Sequence, residues 1–116
     1  QGIDLKKGGI FPVVHGLRCL ALRHGVAATG SIERCEALAV QGALPGDLQR
    51  DLPQALHVFQ RMRLEAQLAA LDDGRVADNH VDTAGLRRLD RELLRAALHV
   101  VKAFREHVRR VFRVPG

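Results

Sequence analysis

The sequence predicts an all-α domain, an antiparallel four-helix bundle, and three observations carry that expectation. Four stretches repeat apolar residues at the 3.6-residue helical period, with Gly- or Pro-bearing breaks between them. No stretch sustains the period-two alternation with β-branched residues that a strand needs. With 116 residues, 47% of them hydrophobic, the chain suffices for one core and is short for two. One domain over 1–116 is expected, with 1–10 as a Gly-rich linking segment.

Each element follows from its local signals. Gly8 and Gly9 followed by Pro12 open a first helix over 11–24, which Gly25 closes. Ile10, Val13, Val14, Leu17, Leu20 and Ala21 make one stripe on it, and Phe11, His15, Arg18 and Leu22 a second. A helix so apolar all round is expected to be covered on more than one side. Ser31 is the expected N-cap of a short second helix from Ile32 to about Val40, with Glu33 in its positive first turn and Gly42 as its stop. The third helix starts at about Pro45 or Asp51 and ends at Asp73, with Leu52, Ala55, Leu56, Phe59, Met62 and Ala66 on one face. Pro53 either kinks it or marks its first turn. Gly74 to Gly85 is read as a loop, capped by Asp82 or Thr83. The fourth helix runs from about Leu86 to Phe112, with Leu86, Leu89, Leu93, Ala97, Val100, Val101, Phe104, Val108 and Val111 at helical spacing.

Composition excludes several functions. No apolar run approaches the roughly 20 residues of a membrane span, and no signal peptide opens the chain, so a cytoplasmic protein with no membrane partner is expected. The absence of an initiator Met suggests a fragment of a longer protein. Two cysteines, Cys19 and Cys35, make no disulfide framework. Neither they nor the six histidines show zinc-ligand spacing or a nucleophile–base arrangement, so no metal and no catalytic residue is assigned. Asp72 and Asp73 diverge by about 100° on a helix and make a poor metal pair. Gly30-Ser31 matches the opening of a nucleotidyltransferase signature, but no Asp-x-Asp pair follows it. With no Trp or Tyr and four Phe, recognition by aromatic stacking, as in an RNA-recognition sheet or a single-strand channel, is not expected.

Charge is unevenly placed. The chain carries a net +5, and from Leu86 to Arg113 eight arginines and one lysine face three acids, so the basic character belongs to the last segment. Arg88, Arg91, Arg95, Lys102, Arg109 and Arg113 line its outward face. With no helix-turn-helix spacing, docking on another domain is expected ahead of nucleic acid. Arg63 falls on the apolar face of the third helix with Gln67 one turn on. It is either a satisfied polar network with Asp78 or Asn79 of the loop, or a ligand contact in the bundle groove.

Ile3-Asp4-Leu5-Lys6-Lys7-Gly8-Gly9-Ile10-Phe11-Pro12, Ile32-Glu33-Arg34, Leu52 with Ala55, Arg63-Leu64-x-x-Gln67-Leu68, Asp78-Asn79 and the stretch from Leu94 to Phe104 together resemble a known family. It is the nucleotidyltransferase substrate-binding domain found at the C-terminus of bacterial signalling proteins. There it follows CBS or cyclic-nucleotide-binding modules and a nucleotidyltransferase domain similar to the PII uridylyltransferases. The chain departs from the pattern at Gly30, Pro53 and Thr83. The resemblance implies a non-catalytic helical domain that packs on an upstream nucleotidyltransferase domain and helps bind a nucleotide or a protein acceptor. Magnesium and a nucleoside triphosphate are implied for the parent enzyme, and no cofactor for this piece.

Lys6 and Lys7 beside Gly8, Gly9 and a positive helix end suit a phosphate through their charges and free backbone N–H groups. A hinge is the other reading of the two glycines. His15 and Arg18 project from the same helix. Lys6, Lys7, Gly8, Gly9, His15, Arg18, Arg63 and Gln67 are thus the expected ligand or interdomain contacts. The alternative function is a structural module that dimerises or relays a signal from upstream sensors.

Overall fold

A computed structural model describes residues 2–113, so the ends of the expected domain at 1 and 114–116 lie outside the described residues. The chain is all-α apart from one small ribbon. Its helices are α1 (Phe11–Arg23), α2 (Ser31–Val40), α3 (Gly46–Asp72) and α4 (Arg88–Val111). In space α1 packs on α2 and α4, α2 packs on α3, and α3 and α4 share the most extensive contact. The molecule measures 49 × 26 × 24 Å, and the 27-residue α3, at 1.5 Å per residue, spans roughly 40 Å of that length.

Residues 2–10 are not a linker. Gly2–Asp4 form β1, paired antiparallel with β2 (His80–Asp82) inside the expected 74–85 loop, with Ile3 opposite Val81. Three residues per strand are too few for an alternation pattern to register, so the sequence hid this ribbon. Leu5 then donates its N–H to the Asn79 carbonyl at 2.7 Å and buries its side chain completely. Lys6–Ile10 make one π-helical turn that runs directly into α1. Pro12, with no N–H to donate, sits where five-residue hydrogen bonding gives way to four.

Helix ends follow local chemistry. Beyond α1, α2 and α3 the N–H groups of Val26, Ala43 and Arg75 reach back to the carbonyls of Ala21, Leu38 and Ala70, each across a glycine of positive φ. The N-cap of α2 is Gly30 rather than Ser31, which is the first helical residue and makes no capping bond. The Glu33 carboxylate folds over Gly30, where a Cβ would meet it. Helix α3 starts at Gly46, so Pro53 is internal, and Gln49, whose carbonyl loses its donor there, is exposed to water.

The core is aliphatic around two fully buried rings, Phe59 of α3 and Phe104 of α4. Leu52, Ala55, Leu56, Phe59 and Met62 are buried as the α3 pattern requires, while Ala66 is half-buried. On α4 the buried residues are Leu94, Ala97, Val101 and Phe104, and Leu89 and Leu93 lie outside the core. The second stripe of α1 is uncovered too: Phe11, His15, Arg18 and Leu22 are all exposed. Arg61 of α3 reaches Asp90 of α4 at 3.2 Å, tying the long pair together across its flank.

Candidate functional site

Two close approaches position the opening of the chain. A Cβ on Gly9 would lie 2.8 Å from the Phe59 ring, and one on Gly16 2.5 Å from Cε2 of Phe104. No Cβ fits at such distances, so α1 and its π turn meet α3 and α4 through bare backbone. Gly9 is therefore a packing residue inside a continuous helical path rather than a hinge. A Cβ on half-buried Gly8 would meet open space.

Two of the backbone N–H groups expected to be free, those of Lys6 and Lys7, are occupied. Asp4 Oδ1 accepts from Lys6 N at 2.9 Å and Lys7 N at 2.8 Å, so the protein's own carboxylate holds the place expected for a phosphate. The Lys7 N–H holds the Asp4 carboxyl below its ordinary value of 3.8, opposed by partial burial and assisted by the Lys6 N–H. Both lysine side chains remain exposed.

Between α1 and α4, close beside the Gly16–Phe104 contact, lies a groove of about 400 Å³. Phe11, His15 and Cys19 of α1 form one wall, and Arg105, Val108 and Arg109 of α4 the other, with Lys7 at the α1 end. Its charged side chains are all cationic. Among the described residues, Lys7, Arg105 and Arg109 make no side-chain ion pair or hydrogen bond. The Phe11 ring stacks on His15, with centroids 5.8 Å apart and planes 11° apart. Grooves of about 470 Å³ and 540 Å³ elsewhere carry carboxylates, Asp51 in one and Glu65, Asp78 and Asp82 in the other. The α1–α4 groove has no carboxylate in its own lining, although Lys7 also acts on the neighbouring Asp4 carboxylate, and a smaller groove of about 230 Å³ holding Arg91 and Arg95 likewise lacks one.

The remaining candidates lie apart from this groove. Lys6 and Arg18 are exposed but do not line it. Arg63 is half-buried, and its Nε donates to Asn79 Oδ1 at 2.7 Å. Asn79 also receives the Leu5 N–H, so Arg63 tethers the opening segment to α3. Asp78 accepts from the His80 N–H at 3.0 Å and shapes the turn into β2, and Gln67 is half-buried. Cys35 is buried in α2, where desolvation first and the Glu36 charge second push its thiol up to about 11, out of nucleophile range. Among the described residues no group of three or more His, Cys, Asp or Glu could hold a metal ion, and no helix is long and apolar enough to cross a membrane.

Sequence reasoning missed Arg105 and Phe11 as site residues and placed Arg109 only in the basic stripe. The spacings Phe11–His15 and Arg105–Arg109 are each one helical turn, which the sequence displays. That α1 lies against α4 is a tertiary fact that periodicity does not carry.

A family model described as "Putative nucleotidyltransferase substrate binding domain" matches residues 1–112. The chain belongs to this family. No curated protein and no solved structure matches it. Within the matched residues, Asp4 to Pro12 build the carboxylate cap, the π turn and the Gly9 contact.

Proposed function

We propose that this chain is the non-catalytic substrate-binding part of a nucleotidyltransferase, and that it presents its α1–α4 flank to the catalytic domain of the same protein. The observation that carries the reading is the groove holding Lys7, His15, Arg105 and Arg109 with no carboxylate among its lining residues. Unpaired cations beside an apolar wall suit an anionic substrate, which they orient for a catalytic centre supplied elsewhere. An up-and-down antiparallel bundle, favoured by short connections between neighbouring helices, provides the rigid support. The parent is read as a bacterial, cytoplasmic signalling protein in which magnesium and the reacting nucleotide meet in the catalytic domain.

The test uses the protein carrying its nucleotidyltransferase domain. Changing Lys7, Arg105 and Arg109 singly to Ala is expected to raise the KM for one substrate about tenfold, the scale of a lost charge-assisted contact. Unchanged kinetics in all three variants would remove the assignment.

A second role, as a self-association module, draws on one observation. Leu64, Leu68 and Leu71 are 55%, 54% and 73% exposed and share one face of α3. Sedimentation of the chain with Leu68→Glu tests it: a dimer that this change dissolves supports the role, and a monomer throughout ends it.

A further inference from the structure

Resting on the substrate-binding reading above, we infer that the α1–α4 groove takes the nucleoside polyphosphate rather than the acceptor, with the base on the Phe11 ring and the phosphates among Lys7, Arg105 and Arg109. The ring is the first argument. Of four phenylalanines, Phe59 and Phe104 are fully buried, and Phe112 lies under the Arg23 guanidinium at 5.4 Å. Phe11 is 56% exposed, lines the groove and stacks on His15 on one side. An exposed ring of this kind is a platform for a second planar ring, and every nucleobase supplies one.

The cations are the second argument. Arg105 and Arg109 stand one turn apart on α4 and Lys7 one turn before Phe11, so positive groups flank the ring from two elements. Arginine forks and a lysine ammonium are the side chains that match phosphate oxygens, and a polyphosphate offers enough charge for three of them. An acidic peptide would use the cations but leave the Phe11 face in water. The groove volume of about 400 Å³ falls within the range of small-molecule sites. Stacking without polar side chains aimed at a base edge discriminates weakly among bases, so purines are favoured over pyrimidines only by ring area.

The experiment is equilibrium dialysis of this chain against ATP, inorganic tripolyphosphate and adenosine, all in EDTA. Because the chain has no Trp or Tyr, the nucleotide is read directly by ultraviolet absorbance. ATP is expected to bind about tenfold more tightly than tripolyphosphate, and Phe11→Ala to abolish that difference while leaving tripolyphosphate affinity unchanged. Arg105→Ala and Arg109→Ala should each weaken both ligands about tenfold. Equal binding of tripolyphosphate and ATP, no effect of Phe11→Ala, or no retention of ATP would each overturn the inference. If dialysis fails while the same arginine changes still raise a KM in the protein with its catalytic domain, the nucleotide assignment falls and the substrate-binding reading stands. If ATP binds but no KM moves, the site stands and the substrate-binding reading falls.

Discussion

The opening segment, Gly2 to Gly16, and the far half of α3 with its connection, Leu64 to Val76, are similar in composition, both mixing small, apolar and charged residues. They are opposite in packing. In the first, Leu5, Gly9, Val13 and Gly16 are buried, two glycines touch aromatic rings, and Asp4 caps two backbone donors. In the second, Leu64, Leu68, Leu71 and Val76 are exposed, Val76 at 94%. The difference shows where this fold places its constraints: on the junction that sets the walls of the groove, while between Leu64 and Val76 only Ala70 is buried.

The largest effects should come from breaking the junction. Phe104→Ala and Phe59→Ala each remove a fully buried ring, and such losses cost about 3–5 kcal/mol. Chemical denaturation should show a midpoint far below that of the unaltered chain. Gly16→Val comes next, since it drives side-chain atoms into Phe104, and overpacking of this kind costs about 1–3 kcal/mol. Phe104→Leu should relieve part of that loss in the double variant, a coupling that a double-mutant cycle reads directly. Additive losses would mean that the Gly16–Phe104 contact does not set the α1–α4 distance.

How much of this was legible in the sequence depends on the range of the signal. The apolar period gave the four helices, and the glycines after α1 and α2 marked where those helices stop, because both signals are local. The packing role of Gly9 and Gly16 was not legible, since a glycine shows its reason only when the ring opposite is known. Leu89 fits the α4 period as well as Leu94 does, yet it is 66% exposed against 1%. Periodicity fixes which residues share a face and not how wide the covered sector is. The scarcity of aromatic residues argues against recognition by stacking, an argument from composition that does not weigh where a single exposed ring such as Phe11 sits.

Arg63 tests the tether between the two regions. Arg63→Ala removes the donor at 2.7 Å from Asn79 and leaves a half-buried amide oxygen without it, a loss of about 1–2 kcal/mol. Amide hydrogen exchange should rise first at Leu5 and Val81, on the ribbon that Asn79 anchors. Uniform exchange across the chain would show that the bond stabilises the whole domain and not the opening segment in particular. Asp4→Ala should have a smaller effect, and one that depends on pH. The folded carboxyl titrates below its ordinary value of 3.8, so its contribution is present in full above that pH and is lost as pH falls through the folded value. The stability gap between Asp4→Ala and the unaltered chain should therefore be constant near neutrality and close in acid, and a gap that persists there would remove the cap from the account.

The smallest effect is expected at the far end, and it is the sharpest check on the contrast. Leu68 is 54% exposed, so Leu68→Gln exchanges a largely solvent-facing apolar side chain for a polar one. Surface changes of this kind fall within about 0.5 kcal/mol of zero. A drop of 2 kcal/mol, about the scale of a buried leucine, would mean that the leucine face is covered in solution. In this chain the available cover is a second copy, and the loss would then shrink on dilution, because stability drawn from association follows protein concentration. A loss independent of concentration would instead place Leu68 against the chain itself and remove the contrast between the two regions.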